Sequence, residues 1–371
     1  MQNVQALPEK LRQKKGFSLT MTIGLDGFVD EIIHIVDKRQ DYKTFTRVKT
    51  IKDYGEKIIK AAGLSTNFEM VTTQTKLGGN GPILSNALLE CGVEINYVGA
   101  LGNPDIHPVF APMAKKAKSV YSLINPGLTD ALEFEDGKLI CGKHSTLAGL
   151  TWEVCKNGMG GVEGIAKLIS ESHLFGMENW TMMPHMSDIW QGMIDEVFPL
   201  LPDKDEKPLA FFDLADPEKR TATDIKRAME LIGQFESKFR AVLGLNEKEA
   251  REVADVMGIK ESNLENLVMQ LYKKLNIYCL MVHPTKSAMC VVEGKLSHAA
   301  GPYCEKPALT TGAGDNFNSG FCLGMTLGLT PLDSLTLGVC TSGFYVRNAK
   351  SPTYDEIIEF CEKWGRGEEL D

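Results

Sequence analysis

The chain lacks any run of 18 apolar residues, so it offers no stretch that reads as a membrane-spanning helix. Its first residues, Met1 to Lys15, are polar and carry no apolar signal core, so the expected location is the cytoplasm. None of the nine cysteines forms a C-x-x-C pair, and most lie in apolar runs. They read as reduced core residues rather than a disulfide frame or a zinc site. The seven histidines show no H-x-x-x-H spacing, which argues against a protein-ligated transition metal. Long basic runs are absent too, and 40 basic against 49 acidic residues leave a net charge of −9. Nucleic-acid affinity depends on neutralising phosphates, so no nucleic-acid partner is expected, and no membrane partner either.

Three common site patterns are also missing. There is no G-x-x-x-x-G-K-[ST] phosphate loop and no G-x-S-x-G nucleophile turn. Gly312 and Gly314 begin a G-x-G, but Phe317 stands where a dinucleotide fingerprint needs its third glycine. Nor is there an internal repeat, or a linker rich in Pro, Gly or Ser. One domain over 1–371 is therefore expected.

What is present is an ordinary core-forming composition, 43% apolar and 24% charged, arranged as short apolar strands alternating with helices. Strands are expected near 17–25, 95–100, 208–214, 241–245, 277–282 and 289–292. Helices are expected near 50–62, 82–91, 187–201 (with Ser187 as cap), 220–233, 247–257, 263–275, 317–329, 332–345 and from 352 to Trp364. Such alternation predicts an α/β fold with a mostly parallel sheet covered by helices on both faces. Segments near 28–36, 68–77 and 121–140 do not fit the alternation and read as a small extra sheet. Gly320, Gly324 and Gly328 recur every four residues, giving a smooth helix face for close backbone approach.

The most informative stretch is Thr310-Thr311-Gly312-Ala313-Gly314-Asp315-Asn316-Phe317. A glycine turn that opens a helix gathers free backbone N–H groups at the positive end of the helix dipole, which suits an anion. Asp315 falls in the first turn beside that point, where a carboxylate can take a proton from a hydroxyl attacking phosphorus. By itself the stretch is equally compatible with an ordinary capped helix. Five other motifs precede it in the chain: Gly24 to Asp30 with two acids, Gly78-Gly79-Asn80, Val98-Gly99-Ala100-Leu101-Gly102-Asn103-Pro104-Asp105, Asp213 at a strand end, and Asn246-Glu247-Lys248-Glu249.

In this order the six motifs resemble the ribokinase (PfkB-type) family of carbohydrate kinases. The resemblance implies a ribokinase-like fold in which the extra strands form a β lid, and an ATP- and Mg²⁺-dependent kinase acting on a hydroxyl of a sugar. It implies Asp315 as base and Gly312, Ala313 and Gly314 as anion hole. Asp26, Asp30, Gly78, Gly79 and Asn80 would bind the small molecule. Asn246, Thr285, Lys286 and Asn348 would serve the nucleotide, and Glu249 would reach the metal through water. A nucleoside kinase, or a sugar-binding sensor without catalysis, are the alternatives. A lid with an apolar face would also allow a homodimer. The chain departs from the family pattern in two places: Ile83 replaces a sugar-binding Asn, and Thr285 and Ala288 replace two glycines of a nucleotide turn.

Overall fold

The computed structural model describes residues 2–370. Its strands are β1 (Thr20–Leu25), β2 (Phe28–Arg39), β3 (Phe45–Arg47), β4 (Met70–Gly78), β5 (Glu94–Gly99), β6 (Ser119–Ser122) and β7 (Gly127–Phe134), followed by β8 (Gly137–Lys143), β9 (Leu174–Met177), β10 (Leu209–Asp213), β11 (Arg240–Leu245), β12 (Cys279–Val282), β13 (Ser287–Val292) and β14 (Lys295–Ala300). Nine of them make one sheet in the order β14-β13-β12-β11-β10-β9-β1-β5-β6. From β12 to β6 the pairings are parallel, and the hairpin β12-β13-β14 closes one edge antiparallel. Strand order reverses at β1, which lies between β5 and β9. Ligands of open parallel sheets bind at the carboxyl ends of the strands beside such a switch point.

Two large cores cover the two faces of this sheet, as uniformly buried strands such as β1 and β10 require. The glycine face of the helix Ala313–Thr326 behaves as its spacing predicts. A Cβ at Gly320 would lie 2.8 Å from the Leu337 carbonyl oxygen, and one at Gly324 2.8 Å from the Ser334 Cα. The following helix, Pro331–Asn348, therefore seats backbone against backbone and fixes the element that carries Asp315. Gly328 lies beyond the helix end with φ +73° and meets nothing.

The second sheet runs β3-β2-β7-β8, with β4 paired to β2, and it stands over the strand ends as a lid. Alternation sorts its two faces. Ile33, Ile35, Leu132 and Phe134 pack with Tyr54 under the helix Ile51–Lys60. Phe28, Asp30, Ile32, Thr129 and Ala131 look into the cleft. The helix thus covers one lid face from within the chain.

Several elements differ from expectation. The polar start forms a helix, Gln2–Lys14, that buries Leu7 and Leu11. The charged segment after Lys38 contributes β3, and Lys295–Ala300 adds the edge strand β14. The helix expected at 187–201 is shorter, Met186–Gly192, and continues with irregular turns to Leu200. Ser187 does not cap it, because its hydroxyl accepts a hydrogen bond from the Trp180 indole at 2.9 Å. All nine cysteines are free. Among the described residues no helix is long and apolar enough to cross a membrane.

Candidate active site

Five parallel strands deliver side chains to one place. Asp26 follows β1, Glu178 follows β9, Asp213 ends β10, Asn246 follows β11 and His283 follows β12. Asp26 is the organiser. Its fully buried carboxylate accepts from the backbone N–H of Asn80 (2.9 Å) and of Gly81 (2.9 Å), and from the Asn179 amide (2.8 Å). The Tyr97 hydroxyl donates to the Asp26 carbonyl at 2.5 Å. Gly79, with φ +96°, lets the chain turn this tightly, and a Cβ there would lie 2.9 Å from the Asp26 carboxylate. Burial still pushes the Asp26 carboxyl up to about 6, against the pull of its donors.

Asp30 comes down from the lid, paired across the strands with Lys76 and Thr129. A Cβ on Gly78 would collide with its carboxylate at 2.3 Å, so that glycine gives Asp30 its room. Burial raises the Asp30 pKa, with Thr129, Lys138 and Lys76 favouring the charged form. Gly79, Asn80, Ile83, Asn86 and Asp30 all line a cleft of about 1100 Å³ beneath the lid. Ile83 also packs toward the glycine turn, its Cγ2 3.3 Å from the Cβ position of Gly312.

That turn is built as its sequence suggests. Gly312 adopts φ +89° and caps the helix Ala313–Thr326, and Asp315 sits in the first turn, 9% exposed. The Tyr345 hydroxyl donates to the Thr311 carbonyl at 2.7 Å and braces the turn from below. The Ala313 N–H is engaged with the Thr310 carbonyl at 3.1 Å. The amides of Gly312 and Gly314 have no such backbone acceptor and are the open donors. Burial, followed by the nearby Asp26 charge, pushes the Asp315 carboxyl up to about 8, and the Asn80 side chain bonds to it. A carboxylate of that pKa can take up and release a proton at neutral or mildly alkaline pH.

On the other side of the turn lies a slot of about 330 Å³ lined by Asn246, Thr285, Tyr303, Ala313, Gly314, Phe317 and Val346 among others. His283 packs on Phe317, ring centroids 5.0 Å apart, and burial drives its imidazole down to about 4, so it is neutral. Asn246 and Glu249 form a capping box: the Asn246 Oδ1 accepts from the Glu249 N–H (2.9 Å), and the Glu249 Oε2 from the Asn246 N–H (2.8 Å). The second Glu249 oxygen accepts from the Asp216 N–H at 3.0 Å.

Of the nucleotide residues expected from the sequence, Asn246 and Thr285 line the slot. Lys286 lies outside, its ammonium 4.6 Å over the Tyr303 ring. Asn348 lines neither cavity, and its amide donates to the Phe344 carbonyl at 3.0 Å. Ala288 is buried in β13, so that departure from glycine serves the core. Sequence reasoning missed Asn179, a cleft residue with φ +61° that holds Asp26. It missed Glu178, fully buried with neither carboxylate oxygen partnered, and Asn318, which donates to Asp213 at 3.0 Å. Their only signal was position, immediately after β9 or one turn beyond Asp315. His144, just beyond the lid strand β8, also lines the cleft.

Residues 2–364 match the model of the prokaryotic ketohexokinase family. The chain belongs to that family. A ketohexokinase of Haloferax volcanii is 29% identical over 359 residues, covering 96% of this chain and 93% of that protein. The fold is that of solved ribokinase-type structures. A ribokinase of Thermotoga maritima superposes with a TM-score of 0.64 at 16% identity, covering 93% of this chain and 99% of its own. A nucleoside kinase of Methanocaldococcus jannaschii, described as an archaeal member of the ribokinase family, gives 0.61 at 12%, covering 93% and 98%. An Arabidopsis thaliana ribokinase solved with ribose and ATP gives 0.60 at 14%, again covering 93% and 98%. The protein is therefore a sugar kinase, as its motifs implied. The fold alone does not separate sugar from nucleoside, since kinases of both kinds share it.

Proposed function

We propose that this kinase transfers the γ-phosphoryl group of ATP to a hydroxyl of a ketohexose. The observation that carries the reading is the position of the Gly312–Asp315 turn between two cavities. Asn80, Thr311 and Tyr345 line the cleft on one side, and Thr310, Ala313 and Gly314 line the slot on the other. A sugar in the cleft and a base in the slot would meet at Asp315. Family membership and the Haloferax relative favour a ketohexose over a nucleoside.

In this reading Asp315 accepts the proton of the attacking hydroxyl. The open amides of Gly312 and Gly314, at the helix N-terminus, take charge from the transferring group. Asp30, brought by the lid, and Asp26, through the Gly79-Asn80 turn it fixes, orient the sugar. Lid closure excludes the water that would otherwise hydrolyse ATP. Both Glu249 oxygens are occupied by backbone donors, and the described residues include no group of three or more His, Cys, Asp or Glu that could hold a metal. The donor set fits a magnesium ion carried by the nucleotide phosphates and its own waters, with Glu249 at one remove. When bound, that ion supplies charge neutralisation on the phosphates. Most of the work left to the protein is positioning.

The test is an assay of ADP release with ketohexoses, aldoses and nucleosides, run across pH. A ketohexose is expected to give the highest kcat/KM. That value should fall about tenfold per pH unit below the Asp315 pKa of about 8, because only the ionised base is competent. ADP release with nucleosides alone would overturn the acceptor. A flat profile from pH 6 to 8 would overturn the base.

Association through the lid is part of the same reading. The lid leaves apolar side chains exposed on both faces: Met70 and Leu128 on the face that its helix covers in part, and Ile140, 61% exposed, on the face toward the cleft. Ile140→Glu is expected to convert a dimer to a monomer in sedimentation velocity. A wild-type protein that sediments as a monomer at tens of micromolar would exclude it.

A further inference from the structure

We propose that Lys219 is the cation that meets the transferred phosphoryl group, an assignment that rests on the kinase reading above. The cleft floor is dense in acids. Asp26, Glu178 and Asp213 are buried at the strand ends and Asp315 in the first turn of its helix, and Glu178 has no hydrogen-bond partner. Asp315 must be ionised to act, so a phosphoryl group brought to it meets a negative charge, and the glycine turn offers only the partial charge of a helix terminus. A side-chain cation on the sugar side would add to the charge carried by the nucleotide's magnesium, and the lysines at hand can be sorted.

Lys286 lies outside the slot against Tyr303. Lys350, on the cleft rim, is bound to Glu356 at 2.6 Å. Lys76 and Lys138 belong to the lid and act on Asp30. Lys219 remains. It lines the cleft with Ala215 and Asp216, its side chain is 52% exposed, and its contact with Asp216 is loose at 3.4 Å. It is near enough to His144, at the end of the lid, to add to the burial that lowers that imidazole's pKa.

The backbone that presents Lys219 supports the assignment. Ala215 and Asp216 are both left-handed, φ +58° and +60°, a conformation that is costly for residues with a side chain. It is held because the Asp216 N–H donates to Glu249, whose other oxygen holds Asn246 on the slot wall. One buried carboxylate thus ties the turn bearing Lys219 to the residue that opens the nucleotide slot. Glu249 is then a positioning residue for both.

Lys219→Met and Lys219→Arg, compared with the wild type, test this. Removing one charge-stabilising donor should lower kcat/KM for ATP by about 10²-fold in the Met variant. The Arg variant should recover most of it, and both should keep the wild-type melting temperature and sugar affinity. Calorimetry without sugar gives a readout independent of turnover: Lys219→Met should weaken ATP-Mg binding while leaving ADP-Mg unchanged, since only ATP carries the group in question. Equal loss for both nucleotides, no loss for either, or a lowered melting temperature shared by both variants would overturn the assignment. A wild-type protein that transfers phosphate to no sugar would overturn the kinase reading instead, and the ATP-against-ADP comparison would still judge Lys219.

Discussion

Asp315→Asn is expected to reduce turnover by about 10²–10⁴-fold, the usual worth of a general base, with the fold retained. The carboxylate is buried beside Asp26 in the first turn of a helix held by backbone contacts at Gly320 and Gly324, and the helix does not depend on it. The substitution should also stabilise the protein, in a pH-dependent way. In the unfolded chain Asp315 releases its proton near pH 4, whereas the folded site holds it to about 8. Between those values the native state binds the extra proton, so wild-type stability falls as pH rises through this window and is level above it. Asparagine carries no such cost. The advantage of the variant in urea denaturation should therefore grow from about pH 4 to 8, reaching a few kcal/mol at most. A variant as active as the wild type would remove Asp315 from the reaction. Equal stabilities at pH 5 and pH 8 would mean that its carboxylate is not held in a desolvated site.

Asp26→Ala should have the largest structural effect of any single change in the cleft. It strands the N–H groups of Asn80 and Gly81 and the amide of Asn179 in a buried place. Each orphaned donor costs about 1–3 kcal/mol, with partial relief from entering water, so a loss of roughly 3–5 kcal/mol is expected. The Gly78-Gly79-Asn80 turn should loosen with it, and sugar affinity should fall even at temperatures where the protein stays folded. Asp26→Asn should cost less, since one oxygen remains an acceptor. Urea denaturation with calorimetric sugar titration checks both. If Asp26→Ala unfolds at the wild-type urea midpoint, the carboxylate is not what organises the floor.

The sequence pointed to these two positions through the glycine turns beside them and the family resemblance. A turn with positive φ calls for glycine, as at Gly79 and Gly312, and the order of the motifs singled out the acid-bearing helix terminus from an ordinary cap. Lys219 and Asn179 carried no such mark. A lysine in the turn after β10 and an asparagine just beyond β9 look the same whether they face solvent or a cleft. The resemblance places Lys286 at the nucleotide, since it sits in a turn that the family uses for that ligand. In the fold, that turn directs its side chain onto Tyr303 instead.

The sequence alone therefore determined the chemistry of this protein: an α/β sheet, a glycine turn opening the Asp315 helix, and the order of motifs that marks a sugar kinase. It did so because glycine positions, strand and helix periods and first-turn acids act within a few residues of themselves. Only the tertiary structure decided which side chains share the cleft, that both Glu249 oxygens are occupied, that Glu178 lies buried without a partner, and that a helix covers one face of the lid. Those outcomes depend on contacts between segments far apart in the chain, such as Asp26 with Asn179 and Asp216 with Glu249, and no local pattern encodes them.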